Sequence, residues 1–133
     1  MRVRLRVEYG GVVAEVVALV NTGYETDVPE LLIPIGVAER LGLWPRLPDD
    51  TLVETYRTAS GLMRVYRVRG ARACLAAEGA EPRCVDSYLV VSEYVDEPLI
   101  SDQLTSRLGI VIEDPAQGLW RLRGESRLRR SEA

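Results

Sequence analysis

The chain opens on a strict alternation. Val3, Leu5 and Val7 interleave with Arg2, Arg4 and Arg6, a period of two that predicts a strand with one buried face. Tyr9-Gly10-Gly11-Val12 predicts a hairpin turn, and Val12 to Val20, rich in β-branched residues, predicts the returning strand. That strand runs into a small polar triplet, Asn21-Thr22-Gly23. Leu31-Leu32-Ile33 then reads as a short buried strand. Pro34 suits the first turn of a helix and Gly42 the position just past its end, with Ile35, Ala38 and Leu41 at helical spacing between them. Trp44 to Asp50 is a loop. Thr51 to Thr58 and Leu62 to Val68 predict a long hairpin with Ala59-Ser60-Gly61 at its tip.

The rest of the chain keeps the same habit. Ala71 to Ala76 and Val85 to Val91 predict another strand pair, and Leu99-Ile100 a short apolar piece. Ser101 suits the cap of a helix that starts at Asp102 and stops at Gly109. Two last strands, Ile110 to Ile112 and Leu119 to Arg123, flank a turn. "LLIPIGVAERLGL" and "PLISDQLTSRLGI" echo one another, each running from an apolar pair through a helix start to Arg-Leu-Gly, which suits a fold with two related strand-helix halves. Residues 1–123 form the expected domain, and the charged tail 124–133 is expected to fray.

Composition narrows the chemistry. The 133 residues suit one domain, and 47% hydrophobic with 28% charged residues suits a globular one. A net charge of −3 argues against a nucleic-acid or anionic-membrane partner. The best apolar run, Val12 to Val20, is too short to span a bilayer and is cut by Glu15, so a cytoplasmic protein without a leader is the expectation. All 17 basic residues are Arg, which holds carboxylates in a bidentate way. Histidine is absent, which excludes Ser-His-Asp and Cys-His catalysis and a His-ligated zinc site. Cys74 and Cys84 are ten positions apart, neither a redox pair nor half a zinc knuckle. They are either two thiols in neighbouring strands or a disulfide closing the turn Glu78-Gly79-Ala80-Glu81-Pro82.

"ALVNTGYETDVPELLIP" resembles the active-site strand and loop of the retropepsin-like aspartic proteases. In that family an apolar strand leads into Asp-Thr-Gly or Asp-Ser-Gly, then come an apolar pair, a helix, a flap hairpin and a closing apolar pair with Gly before a short helix. Here Ala18-Leu19-Val20 precedes Asn21-Thr22-Gly23, the hairpin 51–68 stands where the flap belongs, and Leu99-Ile100 stands in the closing position. The resemblance runs over residues 3–123. It implies a mostly β, retropepsin-like acid-protease half-barrel with a flap hairpin and two short helices, one triplet per chain. It also implies a homodimer acting on an extended peptide or protein substrate, with no metal or cofactor. The catalytic positions would be Asn21, Thr22 and Gly23, with the Thr22 hydroxyl reaching the partner's backbone and Gly23 turning where there is little room for a side chain. Ser60 and Gly61 at the flap tip would meet substrate, Leu62, Met63 and Tyr66 would line the flap, and Val20, Leu32, Ile33 and Leu99 the floor and core.

Two positions depart from the family. Ser101 stands where the family has Gly, a mild change because Ser caps a helix well. Asn21 stands where the family has the catalytic Asp, and that change reaches the chemistry. The family's reaction shares one proton between two carboxylates across a two-fold axis, one as base on a water and one as acid on the amide. An amide neither titrates near neutral pH nor deprotonates water. Glu25, Asp27 and Asp102 are the nearby carboxylates, and surface or helix-terminal charge is the expectation for each. Three readings stand: a protease whose Asp has been exchanged to stop the reaction, a natural pseudoprotease binding peptide as a dimer, and an unrelated small β-barrel that binds or assembles.

Overall fold

The computed structural model describes residues 1–132. The chain is mostly β. Strands β1 (Arg2–Tyr9) and β2 (Val12–Val20) form the first hairpin, then β3 (Glu30–Pro34) leads directly into helix α1 (Ile35–Arg40). The long pair β4 (Leu52–Thr58) and β5 (Gly61–Leu75) follows, then β6 (Arg83–Ser92), β7 (Leu99–Ile100), helix α2 (Asp102–Arg107), β8 (Ile110–Asp114), β9 (Leu119–Leu122) and β10 (Arg129–Arg130). In the large sheet the order is β1-β2-β7-β3-β6-β5-β4, and β1 also pairs with β5. The pairing therefore closes a ring of six strands, with β4 carried on the outside of β5. The small sheet has the order β10-β9-β8.

The period of two does what it predicts. Val3, Leu5 and Val7 are buried while Arg2, Arg4 and Arg6 are not, and β2 answers with Ala14, Val16, Ala18 and Val20 on the same core. β3 is buried on both faces as a parallel partner of β6 and an antiparallel partner of β7. The two echoed segments occupy neighbouring places. β3–α1 and β7–α2 are both strand-to-helix units, their strands pair Leu31 with Ile100, and Gly42 and Gly109 follow the two helices at φ 75 and 78. No helix among the described residues is long and apolar enough to cross a membrane.

Two expectations change and one open alternative is resolved. Leu62 to Val68 and Ala71 to Ala76 are one strand, because β5 absorbs Gly70 as an irregularity in its pairing with β6, at a φ of 95 that glycine tolerates. The tail does not fray through residue 132. Arg129 is buried, with its guanidinium donating to the Glu78 carbonyl at 2.6 Å and to Glu125 at 3.2 Å. Ser131 and Glu132 donate backbone N–H groups to Gly118 and Arg2, so the segment closes over β9 and the start of β1. Its charge misled because Arg129 is buried on the Glu78 carbonyl and the Glu125 carboxylate, while Arg127 and Arg130 stay exposed. Of the two cysteine alternatives, the disulfide is present: Cys74 and Cys84 face one another across β5 and β6.

Candidate functional site

β2 ends at Val20, and its last backbone groups find fixed partners. The Val20 N–H donates to Met1 and the Asn21 N–H to the Ile100 carbonyl at 3.2 Å. Asn21 is thus held at the end of the strand, next to the β7–α2 junction. Its side chain folds back on the triplet, where Oδ1 accepts the Gly23 N–H at 3.1 Å, a local turn that Asn makes readily. Gly23 does not adopt a left-handed conformation, but a Cβ there would stand 3.3 Å from Asn21 Oδ1, so the small residue answers to space. Thr22 is exposed.

The loop after the triplet is tied down from α2. Asp102 accepts the Thr26 N–H at 3.0 Å and the Gln103 N–H at 2.7 Å, while its own N–H donates to the Tyr24 carbonyl at 2.9 Å. Ser101 is fully buried, and its Oγ accepts both the Leu104 N–H at 3.2 Å and the Glu30 N–H at 3.1 Å. The hydroxyl therefore caps α2 and satisfies the head of β3, work that a glycine here would leave undone.

A wide cleft of about 1240 Å³ lies between this loop and the β4–β5 hairpin. Asn21, Gly23 and Tyr24 line it from below, and Tyr56, Ser60, Leu62 and Met63 from the hairpin. Leu32, Val95 and Leu99 supply apolar wall. Of the expected positions, Asn21, Gly23, Ser60, Leu62, Met63, Leu32 and Leu99 come together there. Gly61 serves the tip instead, at φ 124 and paired with Thr58. Tyr66 does not line the cleft. The strand alternation turns it to the other face of β5, where it packs 5.7 Å from the Trp44 ring against the main core. Val20 and Ile33 belong to that same core. Glu25 and Asp27 are exposed on the cleft's loop side, and Asp102 is engaged as a backbone acceptor.

One part of the cleft wall was not foreseen. Glu30, at the head of β3, is 4% exposed, and among the described residues it is the one carboxylate so deeply buried. Its Oε1 accepts the Tyr24 hydroxyl at 2.8 Å and the Tyr56 hydroxyl at 2.7 Å, and its Oε2 lies 3.2 Å from Arg67 Nη2. Arg67 in turn stacks 3.9 Å over the Tyr88 ring. Burial pushes the Tyr24 hydroxyl far above the ordinary tyrosine range, and the Glu30 charge and hydrogen bond push it further. Tyr56 is raised for the same reasons, burial first and then its hydrogen bond to Glu30. The signal was in the sequence: a carboxylate opening the otherwise apolar run "ELLIPI" needs buried donors.

No protein-family model matches this chain, and no curated protein matches it in sequence.

Proposed function

We propose that this chain is a retropepsin-like aspartic endopeptidase homologue in which Asn21 silences hydrolysis and peptide binding remains. The observation that carries the reading is the cleft: the triplet Asn21 and Gly23 on one side and the hairpin residues Tyr56, Ser60, Leu62 and Met63 on the other. Such a space suits an extended peptide lying under the hairpin, bound by strand addition and by apolar side chains against Leu32, Val95 and Leu99. In this reading two copies meet so that Asn21 faces its counterpart across a two-fold axis. Each Asn21 spends its Oδ1 on Gly23 and keeps its amide N–H groups as donors. The pair orients a water or a peptide carbonyl but takes no proton from it, so the base step is missing.

The intact surroundings of the triplet support a disarmed protease as much as a dedicated binder, and one substitution separates the two. Asn21→Asp is incubated with an unfolded protein from roughly pH 3 to pH 7, the acid range in which a carboxylate dyad shares a proton, beside the unchanged chain. Cleavage by the variant alone, blocked by a pepstatin-type inhibitor, is the result for a disarmed protease. Peptide binding by both chains with cleavage by neither is the result for a dedicated peptide-binding dimer. A folded variant that neither binds nor cleaves would overturn the reading.

A further inference from the structure

We infer that Glu30 is a positioning residue that fastens the β4–β5 hairpin across the cleft and makes its seating depend on the loop after the triplet. The inference starts from how β4 is held. Its inner edge pairs with β5 along its whole length, from Leu52 opposite Arg67 to Thr58 opposite Gly61, and its outer edge carries no strand among the described residues. Leu52, Val53, Thr55, Arg57 and Thr58 are exposed, so little apolar burial holds the strand down. Among the described residues the one hydrogen bond from β4 to anything outside its own hairpin is Tyr56 Oη to Glu30 Oε1. β4 is thus hinged on β5 and hydrogen-bonded beyond the hairpin at a single point, while on the β5 arm Met63 accepts from the Ser92 hydroxyl and packs with Tyr56 against Leu32, Val65 and Val90.

That point is shared. Tyr24 donates to the same oxygen of Glu30, and the two phenol rings lie 6.5 Å apart, tilted at 58°. Tyr24 belongs to the loop that begins at Asn21, and its own N–H donates to the Asn21 carbonyl at 3.0 Å. Arg67, on β5, holds the second carboxylate oxygen. The carboxylate is therefore met by a hydroxyl from the triplet loop, a hydroxyl from β4 and a guanidinium from β5, while Ser101, the cap of α2, fixes its backbone. A buried carboxylate with two hydroxyl donors and a guanidinium has one favourable position, and each partner is seated better when the other two are in place. Hairpin and triplet loop are coupled through this group. The coupling does not depend on what the cleft binds, so a cleft that takes no peptide leaves the inference standing.

The test is amide hydrogen exchange on the full chain, comparing the unchanged protein with Tyr56→Phe and Glu30→Gln. Tyr56→Phe removes one hydroxyl and keeps the ring, so folding is expected to survive. The expected result is exchange at least roughly tenfold faster at the hairpin amides 52–63, a smaller rise in the loop 23–27, and unchanged exchange in β1 and β2. Glu30→Gln is expected to give the same pattern, larger in the loop. Tyr24→Phe combined with Tyr56→Phe is expected to be less than additive in the hairpin. Unchanged hairpin exchange, or an equal rise in every strand of the barrel, would overturn the inference, because the first means no fastening and the second means general loosening.

Discussion

Asn21 Oδ1 accepts the backbone N–H of Gly23 at 3.1 Å, so the residue at the head of the triplet is engaged by its own turn. The bond asks for an acceptor two atoms beyond Cβ and does not distinguish an amide from a carboxylate. Asn21→Asp is expected to keep the turn and to change the stability of the single chain by less than about 0.5 kcal/mol at neutral pH, with any like-charge cost across the proposed two-fold axis falling on association of two copies. Asn21→Leu matches the size without the acceptor and is expected to cost about 0.5–1.5 kcal/mol, since the site is partly open and water replaces the lost bond. Urea denaturation of the three proteins checks this. A large loss in Asn21→Asp would mean that the position has been rebuilt around the amide.

Ser101 joins two structural units through one oxygen. Its Oγ takes the Leu104 N–H of α2 and the Glu30 N–H of β3, both buried. Ser101→Ala is expected to lose a helix cap worth about 1 kcal/mol and to strand a buried N–H for about 1–3 kcal/mol more. Ser101→Gly is expected to be no better, since it too lacks the acceptor. Chemical denaturation measures both. Equal stability of Ser101→Gly and the unchanged chain would show that water fills the place of the hydroxyl.

Cys74 and Cys84 stand opposite one another on β5 and β6 and close the turn between them. In the chain-entropy account a loop of this length is worth about 2.5–3 kcal/mol, through restriction of the unfolded chain. Replacing both cysteines, Cys74→Ala with Cys84→Ser, is expected to lower stability by about that amount and to leave the cleft at the other end of β5 unchanged. Denaturation of the variant and of the reduced protein checks it. Agreement between the two separates the cross-link from the packing of the buried Cys74 side chain.

Much of this architecture was legible because strand alternation and helix punctuation are local. The hairpin turn at Gly10-Gly11, the cap at Ser101 and the stops at Gly42 and Gly109 needed only neighbours in sequence. What stayed hidden depends on partners far along the chain. Tyr56 and Glu30 are 26 positions apart, and nothing in either neighbourhood names the other. Tyr66 looked like a lining residue because it lies on the predicted flap, but only the barrel decides which face of β5 meets the core. The tail read as solvated because its arginines are charged, whereas the carbonyl of Glu78 and the Trp120 ring give Arg129 a buried place. The candidate site was half legible for the same reason. The triplet and the hairpin tip are contiguous motifs, while the Glu30 cluster is assembled from four elements.

Tyr24 and Tyr56 link this cluster to alkaline stability. Both hydroxyls are raised above the ordinary tyrosine value of 10.0 by burial, with Glu30 adding to it. In the unfolded chain each phenol loses its proton near that value, while in the folded protein both keep theirs. Above about pH 10 the folded state therefore binds more protons than the unfolded one, so stability falls as pH rises. Below about pH 10 both states hold these protons, and the contribution is fully present. Tyr24, the more buried, supplies a slope approaching about 1.4 kcal/mol per pH unit, and Tyr56, closer to solvent, a smaller one. Urea denaturation between about pH 9 and pH 11 is expected to show this decline in the unchanged chain and a flatter one in Tyr24→Phe with Tyr56→Phe. Phenolate absorbance is expected to show at least two tyrosines still protonated while the chain remains folded. Equal slopes in the two proteins would mean that these hydroxyls are open to hydroxide in the folded state, and that the Glu30 cluster is wetter than its burial implies.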